Sequence, residues 1–183
     1  MKRDAAASAQ AGQGTGPLSA ELAAFVQSGI TVLIGASDLH GTPVAGFGFS
    51  CTVDAAAGEL RVLVDPAGSA PLLAAVRAGG SVAASFTDLE HRSIQAKGAR
   101  ARIEAPTPRD LADYARQSRG HRDWLALAGF APAFCTGFVR CDPQTAVVVV
   151  FAPEQAFRQT PGPGAGEAIH AFPDPLGRAE RSA

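Results

Sequence analysis

Ser93, Gln95 and Lys97 alternate with the apolar Ile94 and Ala96. At the two-residue period of a β-strand, the three polar side chains fall on one face. A hydroxyl, an amide and an ammonium on a shared face offer hydrogen-bonding groups and one positive charge. Beyond Gly98 the parity flips, with Ala99, Ala101 and Ile103 apolar and Arg100 and Arg102 polar. A β-bulge at the glycine would add both arginines to the same polar face. The plainer reading of this pattern is the solvated outer face of a strand.

Ser69 stands immediately before a short helical pattern, where a hydroxyl either caps the helix or joins the helix amides in binding an anion. His40, His91, His121 and His170 show no HxH or HxxxH spacing, so surface roles are expected rather than a zinc site, with His91 beside Arg92 the one to watch. Cys51, Cys135 and Cys141 form no CxxC motif and are expected to remain thiols. If Cys135 and Cys141 end one strand they lie about 20 Å apart, too far for a bridge. Trp124 and Tyr114 sit in amphipathic helical patterns that favour packing over ring stacking. Gly46 and Gly48 alternate with Phe47 and Phe49, which suits either close approach to a flat ligand or strand curvature. No nucleophile elbow, Walker loop or paired-carboxylate motif is present.

The elements that would carry these residues follow from periodicity. Ser19 can cap a helix whose Leu22, Phe25 and Val26 share a face, and Gly29 ends it. Thr31 to Gly35, a strand through Phe47, Phe49 and Cys51, and Leu60 to Val64 read as a meander, with turns at Asp38-Leu39-His40-Gly41 and near Gly58. A short helix over 69–78 leads through Gly79-Gly80 into a strand from Ser81 to Thr87, and Arg92 to Ile103 reads as one long strand. Thr107-Pro108 starts another helix, with a further turn or two expected over 121–128. Thr136 to Arg140 and Thr145 to Phe151 read as a closing hairpin around Asp142-Pro143, and the unalternating Val147–Val150 run predicts cover on both faces. Together these imply a small closed or half-closed β-barrel decorated with helices.

The chain has 183 residues, 46% hydrophobic and 18% charged, with a formal net charge of -1. That suits one globular domain and excludes a disordered polyelectrolyte. Near-neutral charge gives no footprint for nucleic acid or anionic lipid, and no apolar run approaches the roughly 20 residues of a membrane span. The N-terminus has no apolar signal segment, so a cytoplasmic location is expected. Residues 1–17 read as a disordered tail, 18–158 as the barrel domain, and 159–183 as an extended or disordered tail.

The run Arg92-Ser93-Ile94-Gln95-Ala96-Lys97-Gly98, preceded by Ser81-Val82-Ala83-Ala84-Ser85-Phe86-Thr87-Asp88, resembles the pyridoxamine 5'-phosphate oxidase-like family of FMN-binding split barrels. The order of elements and the tail from Phe157 to Glu167 are similar as well. The resemblance implies a mainly β, α+β fold with inserted helices, a six-stranded antiparallel split β-barrel. It also implies a homodimer with FMN in inter-subunit clefts, a small-molecule substrate and flavin-dependent oxidoreductase activity. On it, Ser93 and Gln95 lie near the isoalloxazine with Arg92 beside them, Lys97 lies near its polar edge, and Ser69 lies at the phosphate. Typical members follow that serine with basic residues; here Gly68-Ser69-Ala70-Pro71 keeps the hydroxyl without the cations, and Val44-Ala45-Gly46 is uncharged at the family's earlier basic position. The alternative is a degenerate split barrel without FMN, serving as an interaction module or binding haem, a deazaflavin or another metabolite.

Overall fold

The computed structural model describes residues 20–38 and 40–169. The expected 1–17 tail, the Ser19 cap, Leu39, His170 and the end of the expected C-terminal tail lie outside the described residues. The elements are α1 (Ala20–Val26), β1 (Thr31–Ser37), β2 (Pro43–Asp54), β3 (Glu59–Val64), α2 (Ala70–Arg77), β4 (Val82–Thr87), β5 (Ser93–Gly98), β6 (Arg102–Glu104), α3 (Pro108–Leu127), α4 (Pro132–Phe138), β7 (Val147–Phe151) and β8 (Gln155–Arg158). The strands form one antiparallel sheet in the order β6-β7-β3-β2-β1-β4-β5-β8. The meander β1-β2-β3 and the neighbouring β4 and β5 follow from strand period and short turns.

Two short links decide the shape of this sheet. β7 and β8 lie six strand spacings apart in the sheet order, about 29 Å in a flat sheet at ~4.8 Å each. The four residue steps from Phe151 to Gln155 reach only about 14 Å. Gly98 to Arg102 makes the same crossing from β5 to β6 with the same number of steps. Both links close only if the sheet curls until its ends approach. Gly98 records the meeting: a Cβ placed there would stand 2.7 Å from the Ala152 carbonyl and 3.0 Å from the Phe151 ring. No ladder joins β6 to β8 among the described residues, so the curled sheet stays open along that seam.

The expected six strands are therefore eight. The single long strand expected from Arg92 to Ile103 is broken at Gly98, where the chain leaves one end of the sheet for the other, and no bulge continues it. A second break, Ala152–Glu154, separates β7 from β8. The expected hairpin over 136–151 is also replaced. Thr136 lies in α4, which Pro132 begins with its fixed φ and missing amide hydrogen. Phe134 and Phe138 of this helix stack at four-residue spacing, and Phe130, just before it, stacks on Phe134. Tyr114 pins the following chain: its hydroxyl accepts the Cys141 amide at 2.8 Å and lies 3.1 Å from the Val139 and Cys141 carbonyls. Residues 159–169 fold back beside β8, with Arg158 donating to the Glu167 carbonyl and Ile169 to that of Ala156.

The barrel interior holds alternate residues of the strands, among them Val32, Ile34, Val62, Phe86, Ile94 and Phe151, closed by Leu22 and Phe25 of α1 and Leu72 and Val76 of α2. The valine run is covered on both faces as its pattern implies: Val149 faces the interior, while Val148 and Val150 pack with Leu63 beneath Leu111 and Tyr114 of α3. α3 is one unbroken helix of 20 residues, started by a Thr107–Asp110 capping box. It also covers the edge of β2 beyond its pairing with β1. The Gln117 amide donates to the Cys51 carbonyl at 2.7 Å and accepts the Cys51 amide at 3.0 Å.

An ion chain ties α3 to the sheet. Arg61, 8% exposed, donates to both Asp110 carboxylate oxygens at 3.0–3.3 Å and to Glu104 at 2.7 Å. Arg102 continues it to Glu104 at 2.6 Å and Glu59 at 2.5 Å. Burial by itself would raise the Asp110 carboxyl, but Arg61 and the Thr107 amide and hydroxyl outweigh it and hold Asp110 below its ordinary value. Arg61 and Arg102 lower Glu104, and Arg102 lowers Glu59. The unfolded chain thus binds more protons in acid, so this stabilisation is complete above the unfolded carboxylate range near pH ~4.3 and is lost as pH falls through the lower folded values. Urea unfolding between pH 7 and pH 3 should show the decline. Asp110→Ala, which strands the buried guanidinium, should remove about 3 kcal/mol at pH 7 and flatten that acid slope.

Candidate functional site

On the outer side of the curled sheet the registers align two rows of side chains. Ala45, Gly35, Ala83, Lys97 and Gln155 face out in one, and Phe47, Leu33, Ser85, Gln95 and Phe157 in the next. The first row floors a groove of about 590 Å³. Its other lining residues are mostly small or apolar, among them Pro43, Val44, Val82 and Ala99, with Ser37, Ser81 and Glu154 adding polar groups. A volume between roughly 300 and 1,000 Å³ with few convergent polar groups suits a small organic ligand.

Lys97 is the charged group of the floor row. Its ammonium lies 4.6 Å from the centre of the Phe157 ring, and among the described residues it has no carboxylate partner. Glu154, on the rim, accepts the Ala99 amide at 3.2 Å. Gln95 sits one row below the groove and donates to the Ser85 hydroxyl at 3.2 Å. Ser93 is buried, hydrogen-bonded to the Thr87 hydroxyl at 2.8 Å and covered by Gln159 and Thr160. Arg92 serves its own turn, with Nε 2.6 Å from Asp88, next to His91 at a φ of 60°.

Ser69 lies elsewhere. It precedes α2, is 2% exposed and makes no side-chain cap bond. A Cβ at Gly46 would come within 2.8 Å of its oxygen, so Ser69 backs β2 from inside, whereas the neighbouring Ala45 faces the groove. The fold thus aligns Ser93, Gln95 and Lys97 on the outer face of β5, puts Lys97 alone of the three into the groove wall, and holds Ser69 behind β2. Arg102 is drawn into the ion chain on β6, away from the polar face expected for it. Gly46 and Gly48 make room for internal neighbours, Gly48 for Val32 and Val62.

No family model matches the chain, and no curated protein matches it. Solved structures do. A candidate pyridoxamine 5'-phosphate oxidase from Lactobacillus delbrueckii is similar at 19% identity and a TM-score of 0.49, over 79% of this chain and 97% of its own. HutZ, the haem storage protein of Vibrio cholerae, is similar at 15% identity and 0.45, over 78% and 94%. A pyridoxamine 5'-phosphate oxidase-related, FMN-binding protein of Nostoc punctiforme is similar at 9% identity and 0.40, over 74% and 78%. Pyridoxamine 5'-phosphate oxidase-like proteins are among the structural neighbours.

Other chemistry is poorly provided for. Cys51, Cys135 and Cys141 are free and buried, and burial pushes the Cys141 thiol up to about 11 and Cys51 higher still, so neither of these two is a ready thiolate. Cys135 lies on α4, which removes the strand on which its distance from Cys141 was reckoned. His121, expected at the surface, is buried between Trp124 and Phe138, and burial lowers its pKa. Its Nε2 lies 3.5 Å from the Thr31 hydroxyl. Among the described residues no group of His, Cys, Asp and Glu could hold a metal ion, and no helix is long and apolar enough to cross a membrane.

The spacing that marks Lys97 does not mark Gly35, Ala45 and Ala83, because small residues in separate strands become a floor only through register. Ala83→Trp should fill the groove from that floor. Binding of the planar dye anilinonaphthalene sulfonate, followed by fluorescence, should be abolished while stability stays within about 0.5 kcal/mol of the parent. Undiminished dye binding by the folded variant would remove the groove as a ligand site.

Proposed function

We propose that the outer groove binds a planar ring ligand and that the protein is a flavin-dependent oxidoreductase. The observation that carries this reading is the row Ala45, Gly35, Ala83, Lys97: small side chains leave a level floor, and beside them stands an ammonium that has no carboxylate partner among the described residues. The resemblance of residues 81–98 to FMN-binding split barrels supports a flavin as the ring. The protein's part is to shield one ring face, to place Lys97 at a polar edge, and to leave the other face open to a small-molecule substrate; a flavin, when bound, supplies the electron chemistry. The ring of FMN fits this donor set. Its phosphate does not fit at α2, where Ala70 and Pro71 provide no cation beside Ser69.

A second reading keeps the groove and changes the occupant to haem, a deazaflavin or another flat metabolite held without flavin chemistry. The same apolar floor supports it, and the missing phosphate cations favour it over FMN.

The outer face also supports the homodimer. Phe47 and the valine run do not supply its apolar surface, since Phe47 packs on Phe138 and the run lies beneath α3. Leu33, beside the groove, is 51% exposed, and Phe130, Phe134 and Leu127 are open to solvent on and before α4. Covering such surface stabilises association.

Purified protein should retain a flavin spectrum after desalting or regain one on adding flavin. Lys97→Ala should weaken binding by about tenfold or more, the worth of one charge-assisted hydrogen bond. A Soret band in place of flavin bands would decide for the second reading, and no binding of any ring ligand would end both. Sedimentation at micromolar concentration should show a dimer, and a monomer alone would refute the shared interface.

A further inference from the structure

Residues of both links that close the barrel, Ala99 to Ala101 and Ala152 with Glu154, line a second cleft of about 530 Å³ together with Glu59 and Arg102. Ala99 and Glu154 also line the groove, so the two hollows meet at these residues. Lys97 of the groove and Arg100 of the cleft are three residue steps apart, a Cα separation of at most about 11 Å. One elongated ligand can therefore touch both.

The charges of the cleft are unequally committed. Arg102 is held by Glu59 and Glu104. One oxygen of Glu154 accepts the Ala99 amide at 3.2 Å. Arg100 is exposed and, among the described residues, makes neither an ion pair nor a side-chain hydrogen bond. The backbone amides of Arg100 and Ala101, in the link between β5 and β6, donate to no described residue either. A guanidinium fork beside unengaged backbone amides is a donor set for an oxyanion, because each charge-assisted bond is stronger than a neutral one. The second oxygen of Glu154, at the junction, accepts from no described residue and is open to a hydroxyl on whatever spans the two hollows.

We infer that the cleft is the second half of the ligand site, in which Arg100 binds an anionic group carried on a side arm of the ring in the groove. This rests on the ring-binding reading above and deepens it, by adding the class of substituent and the residue that receives it. The ring lies on Gly35, Ala45 and Ala83, the arm crosses at Ala99 and Glu154, and the anion ends at Arg100. Nothing is required of the loop before α2.

Riboflavin and FMN share one ring and one hydroxylated arm and differ by the terminal phosphate, so they are the probes. Titrated into the full chain with flavin fluorescence as the readout, FMN should bind about tenfold tighter than riboflavin, the worth of one charge-assisted hydrogen bond. Arg100→Gln removes the charge at an exposed position; it should weaken FMN by about tenfold and leave riboflavin within about threefold. Arg100→Glu should go further and make riboflavin the tighter ligand, through like-charge repulsion. Lys97→Ala, which acts on the ring, should weaken both flavins alike. FMN no tighter than riboflavin in the parent protein, or a preference unchanged in both Arg100 variants, would overturn the assignment to Arg100 while leaving the ring-binding groove intact. A preference for FMN that disappears in Lys97→Ala and survives in Arg100→Gln would put the anion at Lys97 and overturn it as well. Binding of neither flavin would overturn the flavin reading and this inference together.

Discussion

The fold depends on one geometric constraint: two four-step links must join strands that lie six places apart in the sheet. A flat sheet would put those strands at about twice the reach of either link. The sheet therefore curls, and the curl creates an interior for Phe86, Ile94 and Phe151 and an outer surface for everything else. Gly98 and the chain at Ala152 meet at the seam, where a methyl group on the glycine would already collide with backbone.

Curling leaves two exposed liabilities, and α3 meets both. It lies over the outward Val148 and Val150, which would otherwise be a bare apolar strip, and its Gln117 satisfies the unpaired backbone of Cys51. The Arg61–Asp110 pair holds the start of α3 in place, and Asp110 does so while also closing the capping box. Burying an arginine on β3 is tolerable only because carboxylates from α3 and β6 reach it together.

The strip that α3 and α4 leave uncovered, across β2, β1, β4, β5 and β8, carries the groove. Side chains there are small where the ring would lie and polar at the ends. The same curvature separates that face from Ser69, which the interior side of β2 holds against Gly46.

Much of this was legible from residue order. The first helix, the meander, α2, the Thr107 cap, the doubly covered valine run and the shared face of Ser93, Gln95 and Lys97 all follow from local periodicity and turn chemistry, which depend on neighbours a few residues away. The break at Gly98 was not legible, because the parity flip there fits a bulge as well as a crossing, and only the seam with Ala152 distinguishes them. α4 was not legible, because Thr136 and its neighbours fit a short strand as well as a helix, and the chain after the helix is held by Tyr114, more than 20 residues before Thr136. The partners of Arg61 and the groove floor of Gly35, Ala45 and Ala83 exist only through strand register and helix docking. The sequence by itself determined which faces are polar and where elements begin; the tertiary structure alone decided which faces meet, because short links, and not periodicity, force the two ends of the sheet together.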